Sequence, residues 1–70
     1  MNLTEAAVGN DYIVKDIVTD DEEMKSFLFS LGCYSGETVT LVSQKKGGYV
    51  LSIKDARYNI DADLARAIEV

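Results

Sequence analysis

Residues 28–39 constrain the fold most, because they join the end of a helix to the start of a strand through two glycines. Apolar residues repeat with the spacing of one helix face, at Met24, Phe27, Leu28 and Leu31. Gly32 follows directly, where a helix end favours a residue that can adopt positive φ. After Gly36, the alternating pattern of a strand begins at Glu37. A helix that folds back onto a small sheet through so short a turn leaves little room for an active site and favours a binding module.

The length and the cysteine content limit what can stabilise this chain. With 70 residues it forms one domain, residues 1–70, with a small core. One cysteine and no histidine exclude an internal disulfide and a Cys/His zinc site. A dense apolar core or a partner must therefore stabilise the fold, and a hydrophobic content of 47% is adequate for such a core.

The charge and hydropathy patterns exclude several classes of partner. A net charge of −5, with seven basic residues spread along the chain, argues against nucleic-acid binding. No apolar run approaches the length of a membrane span, and residues 1–10 lack the basic start and apolar core of a signal peptide. We therefore expect a cytoplasmic protein that does not insert into the membrane.

Strand and helix patterns follow one another in the order β-α-β-β-β-α-β. A first strand is predicted at 12–18, then a helix at 21–31 with Thr19 or Asp20 as its N-cap residue. Further strands are predicted at 37–44, 49–53 and 57–60, separated by a hairpin turn with two positive-φ glycines and by a second turn at 54–55. Asp61 or Asp63 is expected to begin a short last helix, followed by a short strand at 68–70. So many short strands favour closure, so we predict a small β-barrel, SH3-like, with one inserted helix and a short C-terminal helix.

The pattern Leu28-x-x-Leu31-Gly32-x-x-x-Gly36-x-x-Val39 is followed by a hairpin, a strand ending at Ile60, and Ala67-Ile68-x-Val70. In this combination the chain resembles the FeoA domain, a family of small cytoplasmic components of bacterial ferrous iron uptake. The resemblance covers residues 3–70. It implies an SH3-like barrel without catalytic activity that acts on the cytosolic region of a FeoB-like ferrous iron transporter, which carries a G-protein domain. A similar domain occurs at the C-terminus of iron- or manganese-dependent repressors, whose DNA-binding part has no counterpart in this sequence.

The sequence departs from the usual family pattern at four places, one of which is the helix, where Lys25 is the one basic residue and family members often have more. Ser35 stands where the family usually has proline, and Asp61 stands where a basic residue is common. The hairpin reads Lys45-Lys46-Gly47-Gly48, where family members often have Pro-Leu-Gly. The partner-facing surface of this chain is therefore expected to differ from that of other members.

Four residues are the candidate contacts with a partner: Tyr34, Lys45, Lys46 and Tyr49. Tyrosine is enriched at interaction surfaces because it combines an apolar ring with a polar tip. Tyr34 lies in the turn after the helix, and Tyr49 adjoins the two lysines of the hairpin. Tyr49 could equally pack into the barrel, and Tyr12 and Tyr58 are interpreted as structural.

Other reactive or charged groups favour structural roles. The acidic run at 20–23 could bind a cation but is interpreted as helix capping. Cys33 is interpreted as a buried small hydrophobe. Without histidine, or a phosphate-binding loop, we expect no enzyme, no cofactor and no metal site. Phe27 and Phe29 cannot both face inward on one helix face, which leaves open an exposed phenylalanine and weak self-association, or a helix covered on two sides.

Three functional hypotheses follow. The first is an accessory protein of ferrous iron uptake that binds and regulates the transporter. The second is a generic SH3-like module that binds a proline-rich or strand-forming peptide. The third is a small metal-responsive sensor that uses the acidic helix start.

Overall fold

The computed structural model describes residues 1–70. After a short 3-10 helix at Leu3–Glu5, the chain forms β1 (Asp11–Ile13), β2 (Asp16–Ile17), α1 (Glu22–Ser30), β3 (Thr38–Lys45), β4 (Gly48–Ile53), β5 (Ala56–Ile60), α2 (Ala62–Ala67) and β6 (Ile68–Glu69). The predicted elements are all present. The first strand, however, is two strands and not one.

The strands form two antiparallel sheets. The larger sheet has the order β1-β3-β4-β5, and β2 pairs with β6 in a separate two-stranded sheet. Consecutive amides explain why the first strand divides, since Val14 N–H donates to Glu37 O in one direction and Lys15 N–H to Glu69 O in the other. The chain thus passes from one sheet to the other at Lys15. The two sheets do not close into a continuous barrel.

The core lies between the sheets and α2 and consists of apolar residues alone. Leu41 and Leu51 are directly paired across β3 and β4, and both are fully buried. Tyr49, Leu51 and Ile53 share the core-facing side of β4, as the alternation predicts. With so few residues, each buried side chain contributes a large fraction of the stability.

Helix α1 begins one residue later than expected. Asp21 is the N-cap residue, and its Oδ1 accepts from the N–H groups of Glu23 and Met24 at 3.0 and 3.1 Å. Thr19 instead accepts from the Asp21 N–H at 3.0 Å, which holds the chain ahead of the helix. The expectation that Thr19 or Asp20 caps the helix is therefore wrong. Asp21 occupies the N-cap position, and the Thr19 hydroxyl accepts from the backbone N–H of Asp21 and not from the first turn of the helix.

Helix α1 ends at Ser30, one residue before the predicted end, and Gly32 follows it with a φ of +91°, as expected for the glycine after a helix. Its packing differs from prediction, because Leu28 is the one fully buried side chain of the helix. Phe27 and Phe29 are 46% and 48% exposed, so both phenylalanines reach the surface. The helix contacts the core along a narrow ridge and is not covered on two sides.

The two hairpins of the larger sheet use different turn geometries. In the β3–β4 hairpin Gly47 has φ +85°, whereas Gly48 already belongs to β4, so one positive φ occurs where two were expected. In the β4–β5 hairpin Lys54 and Asp55 have φ values of 49° and 67°, as in a type I′ turn. Asp61 begins α2 by accepting from the Leu64 N–H at 2.9 Å, which settles the choice between Asp61 and Asp63.

The Asp55→Gly variant is expected to be more stable than the natural chain. A left-handed conformation is unfavourable for a side chain with a Cβ, so glycine here should raise the free energy of unfolding by about 0.5–1 kcal/mol. Urea unfolding followed by circular dichroism measures the change. Gly47→Ala is the matched control, because its Cβ would meet nothing within 4 Å. It should lower stability by about 1 kcal/mol through backbone strain alone. A destabilised Asp55→Gly would contradict the prediction.

Candidate partner-binding cleft

One open cleft is present on the surface, with a volume of about 490 Å³. It lies between the β3–β4 hairpin and the first residue of α2. Its lining residues are Val8, Gln44, Lys45, Lys46, Gly47, Gly48, Tyr49 and Ala62. Three of the four predicted contact residues, Lys45, Lys46 and Tyr49, therefore lie together. We call these lining residues the hairpin cleft.

The register of the hairpin builds the floor of the hairpin cleft. Gln44 pairs with Tyr49 and Lys45 with Gly48, so the last residues of β3 lie beside the first residues of β4. Tyr49 is half-buried and packs against the core. It also lines the hairpin cleft, so packing against the core does not remove it from the candidate surface, and its contact with a partner stays a prediction.

The walls of the hairpin cleft combine positive charge with apolar surface. Lys45 and Lys46 are exposed, and neither takes part in any of the ion pairs of the chain. No carboxylate lines the cleft, although the chain as a whole carries a net charge of −5. Val8 and Ala62 supply apolar walls. The arrangement suits a protein segment with an acidic side chain next to an apolar one.

Tyr34 lies apart from the hairpin cleft. Its hydroxyl accepts a hydrogen bond from Lys54 Nζ at 2.7 Å, and its ring meets Phe29 edge-to-face with centroids 6.1 Å apart. The bond to Tyr34 is the main cause that raises the pKa of Lys54 above its usual value. Lys54 follows β4, whereas the hairpin cleft lies at the start of β4, so the two surfaces are roughly 17 Å apart. A single partner contacts all four predicted residues only if it spans that distance.

The acidic run at 20–23 serves the start of α1. The Asp21 side chain caps the helix, and Glu22 and Glu23 lie in its first turn, where carboxylates favour the helix dipole. No group of three or more Cys, Asp or Glu side chains comes close enough together to hold a metal ion. None of the helices is both long and apolar enough to cross a membrane.

Cys33 is fully buried beneath the turn that follows α1. Its N–H donates to Leu28 O at 3.0 Å, which ties the turn to the end of the helix. Burial raises the pKa of the Cys33 thiol from 9.0 to about 11. The thiol therefore packs as a small apolar group, as the sequence suggested.

The raised pKa of Cys33 predicts a loss of stability at alkaline pH. Above pH 9 the unfolded chain loses the thiol proton while the folded chain keeps it, so rising pH favours unfolding until about pH 11. The loss attributable to Cys33 should be on the order of 2 kcal/mol across that interval. Urea unfolding at pH 8 and at pH 11 checks this against Cys33→Ala, which keeps all other titrating groups. Equal pH dependence in the two proteins would contradict the prediction.

Short antiparallel strands in two small sheets, with one inserted helix, are the arrangement of an SH3-like domain. A model of the FeoA domain family matches residues 1–70. The chain belongs to the FeoA domain family, as its sequence pattern suggested.

Solved structures agree with this assignment. The chain is similar to an iron uptake regulatory protein (FeoA) with a TM-score of 0.87 and 25% identity, over 97% of this chain and 91% of that one. It is also similar to FeoA of Stenotrophomonas maltophilia complexed with zinc, described as a procaryotic SH3 domain protein, with a TM-score of 0.85, 18% identity, and coverage of 97% and 86%. The SH3-like fold is thereby confirmed.

The same fold occurs inside larger proteins. A manganese-dependent transcriptional repressor in complex with manganese matches with a TM-score of 0.88 and 20% identity, over 97% of this chain but 34% of the repressor. At that identity the likeness shows the fold alone. No curated protein matches the sequence closely.

Proposed function

We propose that this protein is a cytoplasmic accessory protein of ferrous iron uptake that binds the cytosolic region of the ferrous iron transporter through the hairpin cleft. Membership of the FeoA family supports the link to iron uptake. The FeoA of Stenotrophomonas maltophilia is described as a candidate activating factor of ferrous iron transport. The observation that carries the proposal is the hairpin cleft, where Lys45 and Lys46 have no acidic partner and stand beside apolar walls.

The protein acts by binding and not by catalysis. Bound to the transporter, it shifts the balance between two conformational or nucleotide states of the G-protein domain. The size of that shift is limited by the difference between its affinities for the two states. A segment of the transporter presents a carboxylate to Lys45 and Lys46 and an apolar side chain to the walls formed by Val8 and Ala62. Regulation therefore requires a tighter complex with one nucleotide state than with the other.

Titration of the ¹⁵N-labelled protein with the cytosolic G-protein domain from the same genome tests the proposal. Saturable amide shifts confined to residues 44–49, Val8 and Ala62 are the expected result. Two titrations, with the GDP-loaded and the GTP-analogue-loaded domain, should give different affinities. Shifts that also include Tyr34 would show that the partner reaches the second surface.

Two results would overturn the proposal. One is the absence of amide shifts in two titrations. These use the folded, nucleotide-loaded domain at high micromolar concentration and the complete transporter in detergent at the same concentration. The other is saturable binding that leaves the hairpin cleft unperturbed. Binding of short acidic peptides in the hairpin cleft, with no affinity for the transporter, would instead favour the generic SH3-like peptide-binding module.

A further inference from the structure

Strand β5 is an open edge of the larger sheet. It pairs with β4 on one side and is the last strand of the sheet order. The opposite edge, β1, is shorter, and its Asp11 side chain is held by Thr40 Oγ1 at 2.6 Å. The register along β5 is continuous from Ala56 to Ile60, without a bulge or a proline to interrupt it. Neither a bulge nor a proline therefore blocks the addition of another strand to β5.

The hairpin register determines which backbone groups of β5 point outward. A two-residue hairpin closes with a hydrogen-bonded pair, here Ile53 and Ala56, and bonded pairs then alternate along an antiparallel ladder. Tyr58 is therefore bonded to β4, whereas Arg57 and Asn59 direct their N–H and C=O groups away from it. No other hydrogen bond of the molecule uses the backbone of Arg57 or Asn59.

The charges along this edge alternate. Asp55 lies at one end, Arg57 is next along the strand, and Asp61 lies at the other end; all three are exposed. None of them takes part in an ion pair. A partner strand therefore meets a carboxylate at each end of the edge and an unpaired guanidinium between them. The Asp61 carboxylate also accepts the Leu64 N–H at the start of α2.

We propose that the outer edge of β5 binds an extended segment of a protein partner as an added antiparallel strand, with basic residues facing Asp55 and Asp61 and an acidic residue facing Arg57. The backbone of the segment bonds to the outward groups of Arg57 and Asn59, as in other cases of strand addition to a sheet edge. A second copy of this chain paired in the register centred on Tyr58 fits less well. Self-pairing centred on Tyr58 would set Asp55 of each copy against Asp61 of the other, a like-charge contact at both ends. This inference does not rest on the proposed function, since it concerns a different surface.

Amide hydrogen exchange in the presence of a designed peptide tests the proposal. The probe is Lys-Val-Thr-Val-Glu-Val-Lys with blocked termini, which places lysines opposite Asp55 and Asp61 and the glutamate opposite Arg57. At a concentration that occupies nine sites in ten, exchange at Arg57 and Asn59 should slow about tenfold, whereas Tyr58, already bonded to β4, should change little. The same peptide with glutamate in place of both lysines is the control and should protect weakly.

Matched variants separate backbone pairing from charge. Asn59→Pro removes one outward N–H without removing a bond to β4, so peptide affinity should fall about tenfold, while Asn59→Ala should keep it within about twofold. The pair Asp55→Asn and Asp61→Asn preserves the turn and the helix cap and should weaken binding about fivefold at low salt. This second test applies even if Asn59→Pro does not fold.

Three results would overturn the proposal. One is no protection of Arg57 and Asn59 at millimolar peptide. Another is strong protection of both amides in the free protein at every dilution, which would mean that the chain itself covers the edge. The third is protection that rises with protein concentration in the absence of peptide, which would assign the edge to a second copy.

Discussion

Replacing Leu28 with alanine is expected to lower the free energy of unfolding by about 3 kcal/mol. Leu28 is the one fully buried side chain of α1, and its carbonyl accepts the Cys33 N–H that holds the following turn. The substitution leaves a cavity in the core and removes the one side chain of α1 that is fully buried there. A domain of this size is stable by only about 5 kcal/mol, so most of its stability would be lost. Urea unfolding followed by circular dichroism at 222 nm measures the change.

Phe27→Ala is the control for this prediction. It removes a larger side chain from the adjacent position of the same helix, but that side chain is 46% exposed. It should therefore cost about 1 kcal/mol or less. Equal losses in Leu28→Ala and Phe27→Ala would show that α1 packs through a wider face than a single ridge.

Reversing the two charges of the hairpin cleft is expected to remove most of the affinity for the transporter. In Lys45→Glu/Lys46→Glu the Kd for the G-protein domain should rise at least about tenfold, because an attractive surface becomes a repulsive one. The effect should appear mainly in the association rate and should shrink at high salt. The free energy of unfolding should change little, since neither lysine makes an ion pair in the folded chain.

Lys15→Glu/Lys25→Glu is the matched control, because it changes the net charge by the same amount outside the hairpin cleft. Surface plasmon resonance at two salt concentrations compares the two double variants. If both lose affinity equally, net charge governs the interaction and the hairpin cleft is not the contact surface. If neither loses affinity, the proposed contact through Lys45 and Lys46 is wrong.

Much of the fold was predictable because its signals are local. Gly32 ends α1, Gly47 turns the β3–β4 hairpin, and alternation along β4 identifies Leu51 and Ile53 as core residues. Each of these features depends on residues a few positions apart. The FeoA pattern suggested the family, and the family match over residues 1–70 confirmed that assignment.

The candidate site was predictable only in part. Lys45, Lys46 and Tyr49 are neighbours in the sequence, so one hairpin brings them together. Tyr34 does not lie with them, because Tyr34 contacts Lys54 after the end of β4 and the hairpin cleft lies at the start of that strand. Sequence reasoning also missed Val8 and Ala62, which come from distant segments and carry no pattern that marks them as lining residues.

By itself, the sequence determined the helix and strand order, the turns and a core without buried charge. These follow from local backbone preferences and from the alternation of apolar residues. Only the tertiary structure decided that the first strand divides between two sheets, that both phenylalanines of α1 face solvent, and that β5 keeps a free edge. Those outcomes depend on which distant groups pair with Val14, Lys15 and Leu28, and a hydrogen bond or a contact between distant residues leaves no periodic trace in the sequence.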